Sequence, residues 1–323
     1  MIKVGMLGYG GIARSHRNGY EILRRRGEDV RLVAICDINP AQFHDLPPEE
    51  GYHTYTSLEE MLAAEQLDTV DICLPTYLHR EYAVRLLEAG YNVQCEKPMG
   101  RTDADCEAIL AAAASSRGRL LIGMCLRFEP MYLEAKRLID EAPYGKVVSA
   151  RFERIGGLPR WGFDNWYHDF ARAGGVALDL HIHDVDMIRF LFEEPTAVSS
   201  RDIDVTVRSE IMDSTFFYPD KLVTATASWG ESLPFRMSFR ITFEKATIVM
   251  DDDRLTVWPA DSEPFDYDRP AVDYMAEESL YLAKLAEGRD TDGRLTPADA
   301  AGTVHLVLKL NESADRGGAI LPL

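Results

Sequence analysis

Three polar residues in this 323-residue chain have types and neighbours suited to acid–base chemistry. Asp179 and His183 lie four residues apart in Gly174-Gly175-Val176-Ala177-Leu178-Asp179-Leu180-His181-Ile182-His183-Asp184-Val185-Asp186. On a helix that spacing stacks a carboxylate and an imidazole on one face, with Asp186 a turn further on. A carboxylate beside a histidine favours the oriented, protonatable ring that acid–base catalysis needs. His181 is expected to point elsewhere. Lys97 follows an apolar run in Cys95-Glu96-Lys97-Pro98. There it is a polar group held just before a proline, able to donate to a reacting oxygen. An X–Pro bond is cis in a minority of cases, and a fixed functional turn is where one is sought.

A second constellation suits phosphates. The apolar run Ile2–Leu7 ends in Gly8-Tyr9-Gly10-Gly11-Ile12-Ala13, and a helical pattern over about 12–26 follows at once. Strand, glycine turn and helix form the context in which G-x-G-x-x-G/A marks a dinucleotide site. Gly8 permits the tight turn, Gly10 lets backbone approach a pyrophosphate, and small Ala13 lets helix and strand pack closely. The helix N-terminus adds N–H groups and a positive dipole end. A strand over Val30–Cys36 then ends in Asp37, roughly 20 residues beyond the turn, where an acid binds the ribose 2′-hydroxyl of NAD. Ligands of open parallel sheets bind beyond the carboxyl ends of the strands. The segments Leu74-Pro75-Thr76-Tyr77-Leu78-His79 and Cys95-Glu96-Lys97-Pro98 therefore join the glycine turn at one edge.

The elements that must position these groups alternate at first. Strands are expected at 52–55, 69–74, 91–95 and 120–123, with helices after the capping box at Ser57, over 77–89 to a stop at Gly90, and over 102–117. Repeated βα units imply a parallel sheet with helices on both faces. A helix at 128–141 follows, then strands at 147–155, 197–207, 211–218, 222–229 and 235–243, whose alternation predicts a largely antiparallel sheet. One helix after Gly174-Gly175 interrupts it, and helices at 274–287 and 297–315 close the chain. The sequence thus predicts an α/β doubly wound Rossmann domain over 1–123 and an open-sheet α+β domain over 124–323 for substrate binding and oligomerisation. The last helix is expected to be able to pack back on the first domain. Asp251-Asp252-Asp253 reads as a solvated turn, because no partner ligands are spaced around it, and no metal is expected.

A hydrophobic fraction of 46% with 27% charged residues is ordinary for a globular protein. The formal net charge of −18 argues against nucleic acid and anionic membrane as partners. No apolar run reaches the ~20 residues that span a bilayer. Met1 leads directly into the first strand, which leaves no room for a signal peptide. The five cysteines contain no C-x-x-C pair and read as small core residues of a cytoplasmic protein.

Taken in order, Gly8-x-Gly10-x-x-Ala13, Glu96-Lys97-Pro98 and Gly174-Gly175-x-x-x-Asp179-x-x-x-His183-x-x-Asp186 resemble the glucose–fructose oxidoreductase/inositol dehydrogenase (Gfo/Idh/MocA) family. The resemblance spans nearly the whole chain. It implies a Rossmann domain, an open-faced sheet domain, and NAD(P)-dependent oxidation or reduction at a sugar or cyclitol carbon. Lys97, Asp179 and His183 match its catalytic residues, and Pro75-x-x-x-His79 resembles its fourth-strand loop beside the cofactor. Cofactor contacts are then expected from Gly8, Tyr9, Gly10, Gly11, Ile12, Ala13, Asp37, Leu74, Pro75, Thr76, His79, Glu96, Lys97 and Pro98, with Asp37 favouring NAD over NADP. Members often carry a small residue where this chain has His181, so that position is expected to tune substrate choice.

The segment Gly156–His168 combines three glycines, a proline and four aromatics and is expected to wall the substrate site. Trp161 and Trp166 can stack on sugar C–H faces, while Asn165, Asp164 or Arg160 can bind hydroxyls. The same aromatics could instead pack the loop down. With Lys97, Arg127, Asp179 and His183, Trp161, Asn165 and Trp166 make up the expected substrate contacts. Three other readings stand beside the dehydrogenase. A metal-dependent hydrolase could open with His181-x-His183, but it lacks further ligands and leaves the Rossmann half unexplained. A non-catalytic dinucleotide sensor would not need Lys97, Asp179 and His183 together. A glycosidase of the same family would use NAD transiently, for oxidation and elimination. The expected partners are a small polyhydroxylated substrate and further copies of the chain. One sheet face, carrying Val223, Ala225, Ala227 and Trp229 or their neighbours, is expected to leave an apolar patch that a homodimer or homotetramer covers.

Overall fold

The computed structural model describes residues 1–47, 50–289 and 291–323. The chain begins with β1 (Ile2–Leu7), α1 (Gly11–Arg25), β2 (Val30–Cys36), a 3₁₀ turn at Pro40–Asp45, β3 (His53–Tyr55) and α2 (Leu58–Ala64). It continues with β4 (Thr69–Ile72), α3 (His79–Glu88), β5 (Asn92–Glu96), α4 (Asp103–Ser115) and β6 (Leu120–Gly123). These strands pair in parallel in the order β3-β2-β1-β4-β5-β6. The winding reverses between β1 and β4, so the switch point lies where the glycine turn follows β1. Every residue of β4 and β6 is buried, as strands covered on both faces require. Local chemistry sets the helix starts. Ser57 accepts from Glu60 N, and Thr102 from Asp105 N. After α3, Gly90 turns the chain at φ +87°.

The second half contains α5 (Pro130–Glu141), β7 (Val147–Ile155), α6 (Phe170–Ala173), α7 (Ile182–Phe192), β8 (Ala197–Ile203), β9 (Ile211–Phe217), β10 (Leu222–Ser228) and β11 (Arg236–Phe243). Next come β12 (Ala246–Asp251), β13 (Arg254–Pro259), β14 (Phe265–Asp266), α8 (Tyr274–Ala286), α9 (Pro297–Asp315) and β15 (Leu321–Pro322). The sheet order is β14-β13-β12-β11-β7-β10-β9-β8-β15. It is antiparallel except where β10 lies parallel to β7. Strand character is legible to about Met250, within β12, and strands β13 to β15 extend the sheet beyond it. The acidic run is the β12–β13 turn: Asp252 takes φ +52°, and Asp251 accepts from Arg236 at 2.7 Å.

The register assigns the two faces. Val223, Ala225, Ala227 and Trp229 are buried, together with Phe152 and Arg154. The opposite face carries Arg151 and Glu153, Thr224 and Thr226, and Arg240 and Thr242. That face is therefore mixed, with exposed Leu222 and Trp258 among polar residues, because Val223, Ala225 and Ala227 of β10 point into the core.

The chain separates into two compact units. The first comprises Met1–Cys125, Trp161–Asp164 and Asp273–Ala301; the second comprises Leu126–Arg160, Asn165–Val272 and Gly302–Leu323. Helix α8 belongs to the first unit and crosses α1 where Gly19 has no side chain. A Cβ there would stand 3.1 Å from Ala276 N. No described helix is long and apolar enough to cross a membrane.

Candidate active site

In the first unit the glycines after β1 have opposite reasons to be glycine. Gly8 adopts φ +89°, and a Cβ on it would stand 2.7 Å from the Cys73 carbonyl oxygen. A Cβ on Gly10 would meet nothing within 4 Å. That open space fronts the N-terminus of α1, which has no side-chain cap and no acid in its first turn. Its N–H groups and dipole end are therefore available to an anion, and Ala13 behind them is fully buried. This cradle fits a dinucleotide pyrophosphate. Asp37 is held at its lip: its carboxylate accepts from Tyr9 N at 2.7 Å and from Asn39 N at 2.8 Å. Ile38 beside it is 75% exposed. The Tyr9 ring is core, with Arg14 and Arg17 over its face, so only its backbone faces the cradle edge.

The two further loops of that edge are tied together by His79. Its Nδ1 lies 2.7 Å from Pro98 O and its Nε2 2.8 Å from Leu74 O. Both partners are acceptors, so both contacts are hydrogen bonds only when the ring is charged. Burial opposes that charge and pulls the His79 pKa below its ordinary value. The ring expected to meet the cofactor is thus directed at backbone. Lys97 is half-buried, and its bond to Pro98 is cis. Glu96 accepts from Lys97 N at 3.2 Å, and its other oxygen lies 2.9 Å from His16 Nε2. His16 Nδ1 lies 2.8 Å from an Asp71 oxygen that also accepts from Tyr20 Oη at 3.0 Å.

Burial alone would push the His16 pKa down, but the Asp71 carboxylate outweighs it and holds it well above its ordinary value. With both ring nitrogens facing carboxylates, the raised pKa favours the charged form of the ring. Burial would likewise raise Glu96, yet the hydrogen bond and charge of His16 bring it below the usual range. Glu278 on α8 is fully buried, and burial drives its pKa well up. Among the described residues neither of its carboxyl oxygens has a hydrogen-bond partner. Ligand atoms of His16, Asp71 and Cys73 lie within 4.8 Å of one another. Burial pushes the Cys73 thiol up to about 12, which disfavours a metal-ligating thiolate.

Sequence reasoning missed this polar cluster. Its signal was present: His16 falls on the buried stripe Ala13, His16, Tyr20 and Leu23 of α1, and Asp71 interrupts an apolar strand. Buried polar groups must find partners.

In the second unit Gly174 and Gly175, at φ +77° and +68°, bring the chain round to the Asp179–His183 segment. Its first part, Ala177–His181, is a π-helical turn before α7 begins. The sequence read it as one α-helix. The wide turn changes the phase between Asp179 and His183, and such turns frequently occur at functional sites. Two buried ion pairs anchor α7. Asp184 meets Arg154 at 3.0 and 3.3 Å. Asp186 accepts from Arg127 Nε and Nη2, both at 2.8 Å, and from Thr303 Oγ1 at 2.8 Å. Asp179 and His183 are half-buried, whereas His181, Asp184 and Asp186 are buried.

Several expected contacts are relocated by these distances. Arg127 is buried beneath α7 with two donors on Asp186, not presented as a surface guanidinium. His181 lies in the core with Nε2 2.9 Å from Ser214 Oγ. Burial, helped by Arg154, takes its pKa to about 3, so it is a neutral core residue and not a substrate-tuning one. Trp166 is buried and stacked on Tyr167 at 3.9 Å, and Tyr167 meets Trp229 edge-on. Asn165 is exposed at φ +46°. Trp161, 65% exposed, belongs to the first unit, its ring lying 3.2 Å from where a Gly11 Cβ would be.

Comparison with known proteins agrees with this layout. Residues 2–124 match the family described as "Oxidoreductase family, NAD-binding Rossmann fold", and residues 132–249 match the "GFO/IDH/MocA C-terminal domain". The chain is 29% identical over 234 residues to inositol 2-dehydrogenase of Rhizobium meliloti, covering 72% of this chain and 67% of that protein. It is 28% identical over 169 residues to 2,7-anhydro-N-acetylneuraminate hydratase of Mediterraneibacter gnavus, covering 52% and 44%. Matches to other curated relatives span about half to three fifths of their lengths. A solved levoglucosan dehydrogenase, in complex with NADH and levoglucosan, shares the fold at TM-score 0.86 and 20% identity, covering 100% of both chains.

Proposed function

The chain belongs to the GFO/IDH/MocA oxidoreductase family, and on that footing we propose that it is an NAD-dependent dehydrogenase of a secondary alcohol on a sugar, cyclitol or related polyol. The observation that carries this reading is the open, uncapped cradle before Gly10 with Asp37 fixed at its lip. The bound cofactor supplies the hydride acceptor. His183 removes the hydroxyl proton as hydride leaves carbon, a task suited to an imidazole at neutral pH. Asp179 orients that ring or binds a neighbouring hydroxyl. Lys97 donates to the reacting oxygen and stabilises the developing alkoxide. Asn165 serves the substrate side, Arg127 fixes α7 through Asp186, and Trp161 serves the glycine turn. Asp37 binds the ribose hydroxyls and repels a 2′-phosphate, while Ile38 offers no cation in compensation, so NAD is preferred to NADP.

The test is direct. His183→Ala and Lys97→Ala should each lower kcat by about 10²–10⁴-fold, with NAD affinity retained in calorimetry. A His183→Ala enzyme with wild-type turnover would remove the proposed base. The matched hydratase supports a second reading, in which oxidation is transient and elimination or hydration follows. A panel of inositols, aldoses, amino sugars and glycosides separates the two: net NADH accumulates only in the first. We also propose a homodimer or homotetramer working in a reducing compartment. All five cysteines are free, four of them buried, and burial pushes the Cys36 and Cys106 thiols up to about 12.

A further inference from the structure

Lys97 sits in a turn whose two flanking residues are each held by a buried histidine from elsewhere in the chain. On one side His16, from α1, places Nε2 2.9 Å from Glu96 Oε1, and the other Glu96 oxygen accepts from Lys97 N. On the other side His79, at the start of α3, places Nδ1 2.7 Å from Pro98 O. Both rings are at most 1% exposed. Gly123 leaves Glu96 its place: a Cβ there would stand 3.0 Å from Glu96 Oε1 and 3.4 Å from its Cα. Beyond the proline, Asp105 accepts from Arg101 N at 3.2 Å, and a Cβ on Gly100 would fall 2.6 Å from Asp105 Cβ. The backbone on either side of Lys97 is thus fixed by side chains that take no part in hydride or proton transfer.

We propose that His16 and His79 are positioning residues for Lys97, clamping the Glu96-Lys97-Pro98 turn at its two ends so that the ammonium leaves the turn in one direction. This rests on the reading of Lys97 as catalytic. The two clamps differ in kind. His16 bridges the carboxylates of Asp71 and Glu96, so its loss leaves two like charges buried without their shared cation. Glu96 would then withdraw from Lys97 N. His79 is wedged between two backbone carbonyls, Pro98 O and Leu74 O, and its neutral ring donates to one of them while packing against the other, so it fixes the spacing of the loops after β4 and β5. Displacement of a catalytic group by about 1 Å costs on the order of 10²-fold in rate.

The experiment measures kcat per NADH-binding site, counted by fluorescence titration, for wild type, His16→Gln, His79→Gln and Lys97→Ala, using whichever polyol of the panel is oxidised. A merely structural role would reduce the number of sites and leave each site at full speed. Clamping predicts normal site numbers and NADH affinity within about threefold, with kcat per site lower by about 10–100-fold in both histidine variants. Full kcat per site in His16→Gln and His79→Gln, beside a slow Lys97→Ala, would overturn the clamp while leaving the lysine's role intact. Full turnover in Lys97→Ala would overturn both. Should His16→Gln fail to fold, His79→Gln decides alone, because it removes no partner of a buried charge.

Discussion

Asp37 and His181 are both polar residues next to functional motifs, and their surroundings give them opposite roles. Asp37 is oriented by two backbone N–H groups at the mouth of an open cradle. Replacing it by Ala should narrow the preference for NAD over NADP in calorimetric titration; an unchanged ratio would show that another group sets it. His181 is enclosed, and its pKa of about 3 lies below the ordinary 6.5. The unfolded chain therefore binds a proton that the folded chain refuses. Its contribution is complete above 6.5 and is lost as pH falls towards 3, at about 1.4 kcal/mol per pH unit. His16 acts with the opposite sign: its pKa is raised, so its contribution is full below 6.5 and lost as pH rises through the folded value. Urea midpoints at about pH 7 and about pH 5 should differ less in His181→Gln than in wild type, and equal differences would contradict the assignment. The sequence showed which residue types stood at which spacing. It could not show that Arg127 and His181 are buried, because burial of a polar side chain is decided by partners such as Asp186 and Ser214, far away in the chain.

Glycine placement makes the strand–turn–helix element testable without any substrate. Gly10→Ala puts a methyl group into open space, so the thermal midpoint should stay within about 2 °C of wild type. NAD affinity should still fall about tenfold or more, because the methyl occupies the place of close backbone approach. Gly8→Ala combines a left-handed φ with a carbonyl 2.7 Å away and should cost about 1–3 kcal/mol of stability. If Gly10→Ala bound NAD normally, the cradle would lie elsewhere. At this scale the periodic elements were legible: Pro297–Asp315 and Val147–Ile155 have the bounds that their patterns predicted. The π-turn at Ala177–His181 was not, because its residues carry ordinary helical hydrophobicity and the widening comes from how the segment packs. Strand β13 was also unread, although the strand-like character extends to about Met250 in β12. The turn joining them is an acidic triplet, and their own apolar alternation is short.

Two compact units arise from a chain that enters the first of them three times. Composition and order of motifs pointed to a Rossmann half followed by a sheet half, but not to the return of α8 beside α1. That return depends on Gly19, a residue unremarkable in sequence. The mixed polar face of the large sheet changes the expected nature of any self-association. Light scattering at micromolar concentration should give a dimer or tetramer that weakens with added salt; a monomer would contradict it. The most direct test of the dehydrogenase reading uses a polyol from the panel with deuterium at the carbon to be oxidised. A dehydrogenase yields one deuterated NADH for each ketone formed, read by mass spectrometry of the separated products. Conversion to an eliminated or hydrated product that retains the deuterium, with no NADH released, would contradict it.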